Sequence, residues 1–143
     1  MRSIDTKPLP EKKEDGQLDF YDLQIDWTSE VREGHSIDIV RFHGGISEKN
    51  SFDLNQKFYK ILDESSSDNM ILDLSELSYI NSMGLAILHA IVKKYRDMGG
   101  TVVVGGIHPF ISRILSLTEI IPDFKIFDSC EQAKNCLPWQ YHL

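Results

Sequence analysis

Very little in this chain lends itself to metal, disulfide or membrane chemistry. Its 143 residues contain two cysteines, Cys130 and Cys136. Their spacing fits no common zinc site and makes no disulfide framework, so reduced thiols in a cytoplasmic protein are expected. Long apolar runs are missing too. The longest, residues 85–92 and 102–104, fall well short of the ~20 residues that a membrane helix needs. The opening Met1-Arg2-Ser3-Ile4-Asp5 lacks the apolar centre of a secretion signal. Basic residues are outnumbered, 15 Lys and Arg against 22 Asp and Glu, for a net charge of -7. A nucleic-acid binder would show the opposite balance on at least one face. The five histidines, His35, His43, His89, His108 and His142, never stand four apart as a helical metal pair would. Gly44-Gly45 and Gly105-Gly106 have neither Walker nor Rossmann spacing and read as tight turns. No enzyme constellation emerges, and no cofactor or metal is expected. His89 reads as a packing residue of a central helix. His43 and His108 fall in loops after strands, near Ser82, but a Ser–His nucleophile pair would also need an orienting acid and an oxyanion loop.

What is present is an alternation of strands and helices. Residues 1–17 carry Pro8, Pro10 and a mixed charge run with few large apolar side chains, and are expected to form a flexible tail. From Leu18 a strand pattern sets in, with Leu23, Ile25 and Trp27 alternating against Gln24 and Asp26. A polar loop over residues 28–36 leads to a second run, residues 37–42, which suggests an antiparallel hairpin; residues 43–47 then break the strand. A helix opens at Ser51, with Leu54, Phe58, Ile61 and Leu62 on one face, and Ser65 to Asn69 end it. Residues 101–104, Thr-Val-Val-Val, read as a buried parallel strand. Pro109 opens a helix through Ile111, Ile114 and Leu115, and Pro122 separates it from a last strand at residues 124–127. Ser129 and Gln132 have capping-box spacing before a short final helix closed by Pro138. The order β-β-α-β-α-β-α-β-α implies a single α/β domain over residues 18–137. Its sheet should be mixed and mostly parallel, with an antiparallel N-terminal hairpin and about four helices. Residues 138–143 form a C-terminal tail that packs back on the core.

The chain is organised around residues 70–99. Met70 to Leu74 is an apolar, β-prone run; after a polar step at Ser75-Glu76 it resumes at Leu77-Ser78-Tyr79-Ile80. The period changes at Asn81, beyond which Leu85, Leu88, Val92 and Tyr95 share one helical face. Ala86, Ile87, Ala90 and Ile91 widen that face, so broad burial of the first turns is expected. Lys93, Lys94 and Arg96 suit the helix end, and Gly99 suits its left-handed stop. Asn81 is a good N-cap, which puts the Ser82 hydroxyl at the first helical position. There the helix's unpaired N–H groups favour an anion. Phosphate on Ser82 would meet them.

Asp73, Leu74, Ser75, Leu77, Tyr79, Ile80, Ser82, Gly84, Leu85, Ala86 and Leu88 stand in the register of a known signature. The stretch resembles that of the STAS domain, found in bacterial anti-anti-sigma factors and in the cytoplasmic tails of sulfate transporters. The resemblance implies a protein-binding regulator of transcription, an anti-sigma factor antagonist that works by partner switching. It implies reversible phosphorylation of Ser82 by an anti-sigma factor or serine kinase of the histidine-kinase-like ATPase fold. A metal-dependent serine phosphatase would reverse it. Asn81, Ser82, Met83, Gly84, Ser47, Gly45 and His108 are the expected partner-binding residues. Neither nucleic acid nor membrane is an expected partner, and a homodimer stays open. Three positions depart from the family pattern: Asn81 and Ser47 replace aspartates, and Met83 replaces a small hydroxyl residue. These departures favour a second reading, a scaffold or sensor module that holds its partner constitutively.

Overall fold

The computed structural model describes residues 16–63, 67–118 and 125–139. The expectations for residues 1–15, for Ser65 and Ser66, for Pro122 and Phe124, for the Ile61 side chain and for residues 140–143 fall outside the described residues. Among the described residues six strands and four helices run in the order β1 (Gly16–Phe20), β2 (Leu23–Arg32), β3 (His35–Ile46), α1 (Ser51–Asp63), β4 (Asn69–Ile80), α2 (Ser82–Asp97), β5 (Thr101–Ile107), α3 (Pro109–Thr118), β6 (Ile126–Phe127) and α4 (Cys130–Asn135). They form one sheet in sequential order. β1, β2 and β3 are antiparallel, and β3 to β6 are parallel. This is the expected mixed sheet with antiparallel N-terminal strands. Among the described residues no helix is long and apolar enough to cross a membrane.

Three local expectations change. The strand expected from Leu18 is two strands, folded at Tyr21-Asp22, where Asp22 takes the left-handed conformation (φ 57) that short polar side chains tolerate. The polar loop over residues 28–36 shrinks to a two-residue turn at Glu33-Gly34. Thr28 to Arg32, polar but for Val31, stay in the ladder because the end of a hairpin can leave side chains in water while the backbone is paired. Residues 43–46 do not break β3 either. The strand continues to Ile46 and absorbs two register shifts against β4, between Arg41 and His43 and between Gly44 and Gly45.

The sheet buries two faces unequally. On one side Phe42, Ile46, Leu54, Leu72, Leu74, Leu88 and Tyr95 belong to the main core, joined by Ile111 of α3. On the other, Ile37, Ile39, Ile71 and Val103 are covered by Ala133 of α4 and by Trp139. Trp139 is buried, and its indole N–H donates to the Ala133 carbonyl at 2.8 Å. The expected tail therefore contributes a core residue, and at the other end β1 takes in Gly16 and Gln17.

α2 ends as its sequence suggests. Gly99, at φ 92, donates to the Arg96 carbonyl and Gly100 to that of Tyr95, the paired bonds of a Schellman stop. Its burial is narrower than expected: Ala86 and His89 are exposed with Ser82 and Met83 on the outward face. His89 is therefore not a packing residue.

Candidate partner-recognition site

Asn81 caps α2 as its position predicts. Its backbone is extended, and its side-chain Oδ1 accepts the Gly84 N–H at 2.8 Å. Its own N–H donates to the Ile46 carbonyl at 2.9 Å, which ties the helix start to the end of β3. The amide Nδ2 lies 3.5 Å from Ser51 Oγ at the first residue of α1. The two helices thus begin side by side. Gly84 lets the first turn of α2 lie against the strand ends: a Cβ there would sit 2.7 Å from Ile80 and 2.8 Å from Ile46. Ser82 itself is exposed.

A second asparagine, missed in the sequence reading, fixes the neighbouring chain. Asn50 is buried, and its side chain makes three hydrogen bonds. Its Oδ1 accepts the Ser47 N–H at 2.9 Å, and its Nδ2 donates to the carbonyls of Tyr21 at 2.6 Å and Gly45 at 2.8 Å. One amide therefore joins the β1–β2 turn, the end of β3 and the start of α1. Ser47 does not replace an exposed charge so much as shape this loop: its Oγ accepts the Lys49 N–H at 3.1 Å. The signal for Asn50 was present, since an Asn one residue before a helix is itself an N-cap pattern. Asn50→Ala strands one buried donor and two acceptors, at about 3 kcal/mol in all. We expect Tm to fall by about 8 °C; a calorimetric shift under about 2 °C would contradict the role given to this amide.

The structure thus brings Gly45, Ser47, Asn81, Ser82, Met83 and Gly84 into one group. Met83 of this group and three large side chains next to it in the chain pairing are exposed. Tyr21 (58% exposed) is held through its carbonyl by Asn50, and Phe52 (65%) follows Ser51. Tyr79 (50%) pairs with Gly45, and Met83 (44%) follows Ser82. Only Met83 was expected there.

His108 stands apart. Its N–H donates to the Leu74 carbonyl at 3.1 Å, and its ring Nδ1 accepts the Phe110 N–H. β4 continues from Leu74 to Ile80, about 20 Å further along the chain at ~3.3 Å per residue. His43 is in a strand rather than a loop, with its ring Nε2 2.9 Å from Asp26 Oδ2. Neither histidine is placed on Ser82.

His43 belongs instead to a polar network under α4. Arg41 lies 3.7 Å from Asp26 and 3.6 Å from Asp73. The Asp73 carboxylate also accepts from Ser75 Oγ at 2.6 Å and from Cys130 Sγ at 3.4 Å. Burial, and after it the Asp73 carboxylate, push the Cys130 thiol up to about 12. Cys136 is exposed. Because the thiolate is the nucleophile, iodoacetamide at pH 8 should modify Cys136 at least about a hundredfold faster than Cys130. Peptide mapping over time checks this, and equal rates would contradict the placement of Cys130.

Residues 28–133 match the family model described as the STAS domain. BtrV of Bordetella bronchiseptica, named as an anti-sigma factor antagonist, is 29% identical over 73 residues, 48% of this chain and 63% of that protein. The match thus spans less than two thirds of that relative. The crystal structure of an anti-sigma factor antagonist from Mycobacterium paratuberculosis superposes with a TM-score of 0.60 at 25% identity, covering 79% of this chain and 93% of that one. The Bacillus cell fate determinant SpoIIAA, solved in its phosphorylated form, gives a TM-score of 0.54 at 13% identity over 76% of this chain and 96% of its own, a likeness of fold alone. With the family model matched over the greater part of its length, this chain belongs to the STAS domain family.

Proposed function

We propose that this protein is a partner-switching regulator of the anti-sigma factor antagonist kind, with Ser82 as the phosphorylated residue. The observation that carries the reading is an exposed hydroxyl at the first residue of α2, on an end of the sheet that also carries four exposed large side chains. A rim of this composition suits a protein partner: aromatic and methionine side chains supply contact area, and the polar group at its centre supplies the control point. The unmodified surface docks an anti-sigma factor of the histidine-kinase-like ATPase fold. That partner transfers phosphate to Ser82, and a metal-dependent phosphatase removes it. Gly45, Ser47, Asn81, Met83 and Gly84 shape the docking surface, and His108 stands apart from it.

The experiment is intact-mass analysis after incubation with the co-purified kinase and ATP. Wild type gains one phosphate, while Ser82→Ala gains none. A Ser82→Ala protein modified as fully as wild type overturns the assignment.

Asn81 favours a second reading. An amide supplies no negative charge to orient the serine hydroxyl for a kinase, and a constitutive scaffold has no need of one. That reading expects no phosphopeptide from cells and unchanged partner affinity in Ser82→Asp.

A further inference from the structure

We propose that Asn81 is the positioning residue through which the charge state of Ser82 reaches α1. The inference rests on Ser82 as the residue that carries phosphate. Three observations support it. The Asn81 side chain is engaged at both ends, accepting from the Gly84 N–H at 2.8 Å and reaching Ser51 Oγ at 3.5 Å. The backbone beneath it is closely packed and tied down: a methyl group at Gly84 would collide with Ile80 and Ile46, and the Asn81 N–H donates to the Ile46 carbonyl. Ser51 is buried at the head of α1, and the next residue, Phe52, is among the most exposed large apolar side chains of the rim.

A phosphate on the first residue of α2 competes for the N–H groups of that first turn, and Gly84 supplies one of them. A hydrogen bond to a dianion is roughly twice as strong as one to a neutral amide oxygen. The phosphate therefore takes the Gly84 N–H, and the Asn81 side chain, as the one mobile member, turns away. Its long contact with Ser51 goes with it. The modification then alters the first turn of α1 as well as its own surroundings. An aspartate at position 81 could only accept from the Ser51 hydroxyl, so the contact in which Nδ2 donates to Ser51 Oγ belongs to the asparagine.

The test uses the full chain, labelled with nitrogen-15, with phosphoserine installed at position 82 during translation. Installation in this way makes the result independent of whether any kinase modifies the protein. Amide spectra of the phosphorylated and unmodified forms are compared in wild type, Asn81→Ala and Ser51→Ala. In wild type the resonances of Gly84, the Asn81 side-chain amide, Ser51 and Phe52 all shift. In Asn81→Ala the Gly84 shift persists and those of Ser51 and Phe52 are lost. Ser51→Ala retains the Gly84 and Asn81 shifts and loses that of Phe52. Equal Ser51 and Phe52 shifts with and without the Asn81 side chain overturn the proposal, as does a wild-type Gly84 resonance that does not move.

Discussion

Phosphate on Ser82 is expected to weaken the complex with the docked partner by about a hundredfold, close to 3 kcal/mol. Two effects oppose docking, and their sizes differ. Repulsion between exposed charges across an interface rim is worth at most about 1 kcal/mol and fades with salt. Enclosing a charge without a partner costs about 2–5 kcal/mol and is screened far less. Tyr21, Phe52, Tyr79 and Met83 are all exposed on the segments joined through Asn50 and Asn81, and a partner docked across them would form an apolar ring over Ser82. A group carrying about -1.5 to -2 charges inside such a ring loses water that apolar side chains cannot replace. Desolvation therefore dominates, and the loss of affinity should persist when ionic strength is raised. Titration calorimetry at low and high salt, with unmodified, phosphorylated and Ser82→Ala protein, makes the comparison. Ser82→Ala should bind as wild type does. A loss that vanishes in high salt would show that rim repulsion controls the switch, and an unchanged affinity would remove the switch altogether.

The outline of this fold was legible because its signals are local. A 3.6-residue apolar period after Asn81, a β-branched run at Val102-Val103-Val104, and proline at the first residue of α3 each fix one element with no knowledge of the rest. What the residues could not show was length. Thr28 to Arg32 and Gly44 to Ile46 look like loop because they are mostly polar or glycine-rich. They are strand because a neighbouring backbone satisfies their hydrogen bonds, which is a property of the pairing. The site divides along the same line. Asn81 and Ser82 sit at a helix start that local rules identify, whereas Tyr21 and Phe52 join them only through contacts between segments about 30 to 60 positions apart. Asn50 falls between these cases: its cap pattern was visible, but its bond to the Tyr21 carbonyl was not. The exposure of Ala86 and His89 was hidden for another reason. Alanine fits either side of a helix, so an alanine-rich flank does not say how far the buried face extends.

Gly44→Ala should be the most damaging single-methyl change on this side of the molecule, at about 4 kcal/mol. Gly44 stands at φ 114, a conformation that costs a residue with a side chain about 1–3 kcal/mol. An added Cβ would also lie 2.2 Å from the Asp22 carbonyl oxygen, which is backbone and cannot swing aside as a side chain would. Relief by displacement of Asp22 breaks the 3.1 Å bond from the Gly45 N–H to that same oxygen and pulls on Tyr21, whose carbonyl is held by Asn50. Overpacking of this kind adds a further ~1–3 kcal/mol. Together the two effects predict a Tm lower by about 10 °C. Gly34→Ala is the matched control. It too has positive φ, at 84, but an added Cβ meets nothing within 4 Å, so only the conformational cost of about 1 kcal/mol remains. If the two variants melt within about 2 °C of each other, the Asp22 contact contributes nothing and the strain argument for Gly44 fails. If Gly44→Ala falls alone, the β1–β2 turn is locked against the end of β3 by shape as well as by hydrogen bonds. The Tyr21 side of the rim is then as firmly placed as Ser82 itself.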